Sequence, residues 1–431
     1  MSKRFFISML MLSLCIMMLL SACGVQHAIS TSSEAGGKNA HQGEGQAGLQ
    51  PEKGAHLLVW ESKGPELDFL KAVAEDFEQE YGIGVKVVAV PSIDAVTKLT
   101  TDGPAGIGAD VFSAPHDHLG NAVMAGLVLQ NDVYDEQMKH QIMDSALEGV
   151  SYDGVFYGFP TAIDTYALYY NKKLLNKAPA TYQELIRFAE TYNDPKNKQY
   201  AFMWNVGQLY QSYSFLAGYG GYIFGNGGKD ADDIGLSNAE SIAGAEFFRS
   251  LNKILPVNSN DMNDNIITGF FMEGKTAAII GGPWLMTDVK SAGIDFGVAP
   301  LPLLPNGEHP QSMSGIRALY VSSYTEYPVA AKLFARYATS RKNLVKRYEM
   351  TTQLPPRQDM MEEPIIKGNA NALAFLEQTK HSAPMPSIPE MGNVWVPAGA
   401  ALAAIWNDNQ QPGDVLKKAV EQIKTAIQTK K

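Results

Sequence analysis

The sequence predicts an α/β protein of two lobes. Strand-like and helix-like segments alternate from about His56 to the C-terminus, the chain of 431 residues is too long for one sheet, and no linker-like stretch divides its halves. A chain of that kind passes between its lobes more than once.

The elements follow in order. His56–Trp60 (HLLVW) reads as a short buried strand. Pro65 opens an amphipathic helix whose apolar residues Leu67, Leu70, Val73, Ala74, Phe77 and Tyr81 recur at three- and four-residue steps, and Gly82 is placed to stop it. Val85–Val90 (VKVVAV) completes a β-α-β unit, which argues for a largely parallel sheet with helices on its faces. Ala109–Ala114 (ADVFSA) is the next strand, and a helix runs through LGNAVMAG. Further strands are predicted around Tyr157 (VFYGFP) and Tyr169 (ALYYN), and at TAAIIGG and IDFGVAPLP. Further helices are predicted at Tyr182–Tyr192, Ala239–Leu255, Pro328–Tyr348 and Asp414–Thr425. GNGG at Gly225–Gly228 reads as a turn, and the chain has no fixed-period repeat. Ala383–Trp395 (APMPSIPEMGNVW) holds three prolines, which fix φ and remove backbone donors, so it is loop-like to about Gly392 and presents Trp395 at a loop-to-helix junction.

The N-terminus stands outside the fold. Lys3 and Arg4, an apolar run from Phe5 to Leu20 and small residues form a secretory signal peptide over residues 1–22. LSAC (Leu20–Cys23) resembles the bacterial lipobox, which implies cleavage before Cys23 and lipid, palmitate included, on the new N-terminal cysteine. Cys15 leaves with the peptide, so no intrachain disulfide is possible. Residues 23–55 carry the anchor and a tether rich in Gly, Ser, Ala and Gln that cannot bury enough surface to offset its chain entropy. No other segment is long and apolar enough to span a bilayer. The globular part is expected outside the cytoplasm, lipid-anchored at the cell membrane.

Hydrophobic residues make up 45% of the chain and charged residues 19%, an ordinary globular balance, and the net charge of −10 excludes a nucleic-acid partner. PHDH puts His116, Asp117 and His118 together, but no second cluster stands at ligand spacing, so no metal is expected. There is no GxSxG, HExxH, P-loop or GxGxxG after a strand, and no cofactor is implied. Asp117 and Asp164, each at a strand end, could serve as a glycosidase pair or as simple hydrogen-bonding residues.

The aromatics are more telling. Of Trp60, Trp204, Trp284, Trp395 and Trp406, Trp284 follows a strand and a tight turn (GGPW) and Trp395 follows the proline segment. Tyr210 and Tyr213 lie in a loop-like stretch, NVGQLYQSY. A sugar offers a face of C–H groups to an aromatic plane and a rim of hydroxyls to carboxylates and amides, so such a set suits carbohydrate.

From about His56 onward the chain resembles the maltose-binding protein family, the extracytoplasmic solute-binding components of sugar ABC importers. The markers are LVWESKG, ADVFSAPHDHLG, YGFPTAIDTYALYYNKKLL, GYGGYIF, FMEGKTAAIIGGPW, IDFGVAPLP and MPSIPEMGNVW, in this order. The resemblance implies a periplasmic-binding-protein-like fold with a hinged cleft, lobe one from residues 56–163 plus 318–364 and lobe two from 164–316 plus 365–431. It implies that Trp284, Trp395 and Tyr210 stack on sugar rings and that Asp117 binds hydroxyls. Asp164 stands at the interlobe crossing. Lys63 falls near a lysine of the first strand-to-helix loop, with Glu61 and Ser62 beside it. His118 stands where an arginine is usual, Gln208 where a glutamate can be, Ala114 where a further tryptophan can be and Gly399 where an arginine can be. The function implied is a monomeric, non-enzymatic binding protein for maltose or maltodextrins that serves ABC permease subunits. A binding protein for another oligosaccharide or glycoside, and a surface glycoside-processing enzyme, are the alternatives.

Overall fold

A computed structural model describes residues 49–430. The signal peptide, Cys23 and the tether up to residue 48 lie outside the described residues. The strands in chain order are β1 (His56–Glu61), β2 (Gly84–Ala89), β3 (Val111–Pro115), β4 (Ser151–Tyr152), β5 (Val155–Phe156), β6 (Phe159–Asp164), β7 (Ala167–Asn171), β8 (Tyr200–Met203), β9 (Asp230–Ile234), β10 (Thr276–Gly281), β11 (Phe296–Ala299), β12 (Ser312–Val321) and β13 (Ser382–Pro384).

Two sheets organise the fold. The first runs β13-β12-β3-β1-β2, with β6 also on β12; the second runs β11-β7-β10-β8. β1 pairs parallel with β2 and β3, as the β-α-β reading requires, whereas β12 runs antiparallel to β3 and β6. The chain leaves the first sheet at Asp164 and enters the second at Ala167, so Asp164 sits where one sheet hands over to the other. This is a two-lobe α/β fold.

Local chemistry explains the elements. The helix Pro65–Tyr81 has proline at its start, buries Leu67, Leu70, Val73, Ala74 and Phe77, and stops at Gly82, whose φ of 68° lies in the left-handed region. The helix at Tyr182–Tyr192 starts from Thr181, whose hydroxyl accepts from the Glu184 amide.

Several expectations change. VFYGFP is broken: β5 ends at Phe156 and β6 begins at Phe159, so Tyr157 belongs to no strand. Pro328–Tyr348 is two helices, Pro328–Ala338 and Arg341–Thr351, because Ser340 accepts from the Asn343 amide and starts a new helix. The helix at Ala239 ends at Ser250 and continues as a 3₁₀ turn, Leu251–Lys253. The last helix is longer, Pro412–Lys430. NVGQLYQSY is not loop-like: Tyr210 and Tyr213 lie on the helix Leu209–Ala217, buried on nearly all sides. Three tryptophans are core: Trp60, Trp204 and Trp406 are at most 3% exposed. Among the described residues no helix is long and apolar enough to cross a membrane.

Candidate functional site

Loops at the strand ends of both sheets surround a cavity of about 950 Å³. The loop after β1 brings Ser62 and Lys63, and the first turn of the helix Pro65–Tyr81 brings Glu66; the turn after β3 brings Asp117 and His118; the end of β6 brings Asp164. Across from them stand Gln208 and Tyr210 at the start of one helix, Asp264 and Asn265 at the start of another, and Trp284 beyond β10. Arg317 on β12, Met385 and Trp395 complete the ring.

The aromatic faces are held by their backbones. Trp284 lies on a 3₁₀ turn, Pro283–Leu285, folded back over Gly282, where a Cβ would overlap its ring. The Tyr169 hydroxyl fixes that turn by donating to the Gly282 carbonyl at 2.7 Å. Trp284 is half-buried, as is Tyr210, with 6.5 Å between ring centroids. Tyr210 is steadied edge-on by Tyr166 at 4.9 Å, and burial, with the Asp164 charge adding, pushes its phenol well above the ordinary range, so it is an O–H donor at any working pH. Trp395 is the first residue of the helix Trp395–Asn407, one residue beyond the 3₁₀ turn Pro389–Asn393, and it too is half-buried.

The polar groups differ in their freedom. Asp117 is 6% exposed; its Oδ2 lies 3.8 Å from His118 Nε2 and its Oδ1 is buried with no protein partner. Asp164 Oδ2 accepts from Arg317 Nε at 3.1 Å, while its Oδ1 is likewise buried and unpartnered. Two carboxylate acceptors beside one cavity are thus desolvated and unused by the protein, which is costly unless something else satisfies them. Lys63 and Gln208 are exposed on the rim, and Ser62 Oγ accepts from the Ser92 amide at 3.0 Å. His116 is scaffold: its Nδ1 accepts from the Ile316 amide at 3.0 Å and its Nε2 donates to the Met385 carbonyl at 2.9 Å. That bonding needs a neutral ring, and burial, opposed by Asp117, holds its pKa down.

Of the residues singled out from sequence, Trp284, Trp395, Tyr210, Asp117, Asp164, Lys63, Ser62, His118 and Gln208 all line this cavity. Glu61 does not. It is fully buried, its Oε1 accepting from the Ser62 amide at 2.7 Å, because strand alternation at the end of β1 turns it inward. Burial raises its pKa, opposed by the Arg347 and Arg317 charges. Ala114 is fully buried, and neither it nor Gly399 lines the cavity. Sequence reading missed Glu66, Ser92, Asp264 and Arg317. Only Arg317 left a signal, as a lone charge within the otherwise uncharged run SMSGIRALYV. Among the described residues no group of three or more His, Cys, Asp or Glu could hold a metal ion.

The lining carries two fixed cations, Lys63 and Arg317, against five carboxylates, Glu66, Asp117, Asp164, Asp264 and Asp288. An acid-lined, aromatic-flanked cavity with idle acceptors favours a neutral ligand rich in hydroxyl donors over an anionic one.

The family described as bacterial extracellular solute-binding protein matches residues 72–374. The chain is 32% identical to the galactooligosaccharide-binding protein of Bacillus subtilis (strain 168), over 98% of its own length and 97% of that protein's. It is 34% identical to the maltodextrin-binding protein MdxE of the same organism, over 84% of this chain and 88% of MdxE. Its structure is similar to that of MalX from Streptococcus pneumoniae in complex with maltopentaose, with a TM-score of 0.81 at 30% identity, covering 86% of this chain and 100% of that one.

Proposed function

This chain belongs to the bacterial extracellular solute-binding protein family, and from that premise we propose that it binds maltodextrins in the cavity between its lobes and delivers them to the permease subunits of an ABC importer. The observation that carries this is the pairing of half-buried aromatic faces, Trp284, Trp395 and Tyr210, with the unpartnered oxygens of Asp117 and Asp164. The aromatics stack on ring C–H faces; the carboxylates accept from hydroxyls; Lys63, Ser62, His118 and Gln208 contribute from the rim, and Glu61 touches no ligand but holds the Ser62 amide. The relative MdxE and the maltopentaose complex of MalX support the choice of sugar.

In this reading lobe one comprises residues 56–163 plus 318–364 and lobe two 164–316 plus 365–431. The lobes close on the ligand by hinge motion, and a sugar that touches both selects the closed state. Asp117 and Asp164 bind and do no chemistry, and the protein acts as a monomer. A second reading, galactooligosaccharide, is favoured by the relative that matches this chain almost end to end.

One panel decides between them. Thermal unfolding is followed with maltose, maltotriose, maltotetraose and galactooligosaccharides. A ligand present at about 100 times its Kd adds about 2.7 kcal/mol of stability, a plain rise in Tm. Maltodextrins are expected to give it. A rise with galactooligosaccharides alone establishes the second reading, and steady release of shorter sugars from an α-glucan establishes the enzyme.

The chain is proposed to be exported and held at the membrane by lipid on Cys23. Cys23→Ala is expected to release it from membranes with its sugar affinity unchanged. Retention of the variant in the membrane fraction, checked by fractionation, rules the anchor out.

A further inference from the structure

Arg317 occupies an unusual place. β12 is paired on both edges there, with Pro115 of β3 on one side and β6 on the other. At this residue the register with β6 slips: Arg317 faces Ala162 and Ala318 faces Pro160, leaving Thr161 as the extra residue, its hydroxyl donating to the Arg317 carbonyl at 3.0 Å. Such a bulge bends the strand that carries the extra residue, here β6, which ends at Asp164 beside the cavity.

The guanidinium is only partly used. Nε donates to Asp164 Oδ2 at 3.1 Å and Nη1 donates to Ser92 Oγ at 2.5 Å. Nη2 has no hydrogen-bond partner in the protein and is not among the buried unpartnered atoms, and the side chain lines the cavity at 15% exposure. A guanidinium carries five N–H groups in one plane, so the unused edge remains available to a ligand. Beside it, Asp164 Oδ1 is a buried acceptor with no partner. The ion pair therefore offers a donor and an acceptor together, fixed in orientation by the Nε–Oδ2 bond.

We propose that Arg317 is a ligand-contacting, specificity-setting residue whose free Nη2–H groups, with Asp164 Oδ1, engage two neighbouring hydroxyls of one sugar ring at the junction of the two sheets. This rests on the maltodextrin reading. One hydroxyl accepts from Nη2–H and the next donates to Oδ1. The pair also balances the Asp164 charge, so an uncharged ring meets no isolated carboxylate on the hinge strands.

The test is isothermal titration of wild type and Arg317→Lys with maltotriose and a set of its monodeoxy derivatives. Lysine keeps the cation beside Asp164 and loses the planar fork; denaturation of the ligand-free variant confirms folding, and Arg317→Gln carries the same comparison if lysine is not tolerated. Arg317→Lys is expected to bind maltotriose about tenfold more weakly or worse, since charge-assisted bonds are the stronger ones. At least one monodeoxy derivative that wild type binds poorly should be bound by the variant about as well as maltotriose itself, because the donor for the missing hydroxyl is already gone. That coupling would not arise from a purely structural arginine. Maltotriose affinity within about twofold of wild type, or the same loss for every derivative in both proteins, overturns the proposal alone. Wild type that binds no maltodextrin overturns the functional reading and this inference with it.

Discussion

Replacing Trp395 by alanine is expected to weaken sugar binding at least about tenfold while leaving the unfolding of the ligand-free protein close to wild type. Aromatic anchors in desolvated sites commonly cost about 2 kcal/mol or more on truncation, and about 1.4 kcal/mol is tenfold. Trp395 is half-buried at the cavity, at the first position of a helix entered from a proline-stiffened turn. Its ring packs only partly against the core and is otherwise turned to the cavity, so truncation should cost far less stability than at a fully buried aromatic. Trp284→Ala is expected to behave alike, because the Tyr169–Gly282 bond that fixes its turn does not involve the indole. Titration gives the affinity and chemical denaturation the stability. A stability loss of several kcal/mol with normal affinity in the folded fraction would make Trp395 a core residue and remove the main stacking face.

The opposite result is expected for Trp204. It is fully buried, its ring centroid lies 5.0 Å from Phe202, 5.2 Å from Trp406 and 5.3 Å from Phe215, and its indole N–H donates to Ser212 Oγ at 3.0 Å. Trp204→Ala should cost about 3–5 kcal/mol, the range for truncating a large core aromatic. Denaturant unfolding of the ligand-free protein measures it, and the protein that remains folded should bind sugar normally. A loss below about 1 kcal/mol would show that this aromatic cluster does not hold the second sheet to its helices.

Much of the fold is legible residue by residue. The helix Pro65–Tyr81 announces itself through its apolar spacing, its proline and Gly82, and Tyr182–Tyr192 has the bounds expected from sequence. β12 was not legible. Gly315, Arg317 and three small or polar neighbours interrupt its apolar pattern, and it is a strand because β3, β6 and β13 satisfy its backbone from both edges. The helix Leu209–Ala217 was hidden for a related reason: it is buried almost all round, so no amphipathic period marks it.

Sequence by itself determined the α/β class, the alternation that builds two sheets and the residue types suited to a carbohydrate. These are local properties, set by periodicity, proline and glycine geometry and side-chain chemistry. Tertiary structure alone decided which of five tryptophans are core and which two face the cavity, that Glu61 turns inward while Ser62 and Lys63 line the site, and that Arg317 meets Asp164. Those outcomes depend on which strand lies beside which. Asp164 and Arg317 are 153 residues apart in the chain, and only the antiparallel pairing of β6 with β12 brings their charges together.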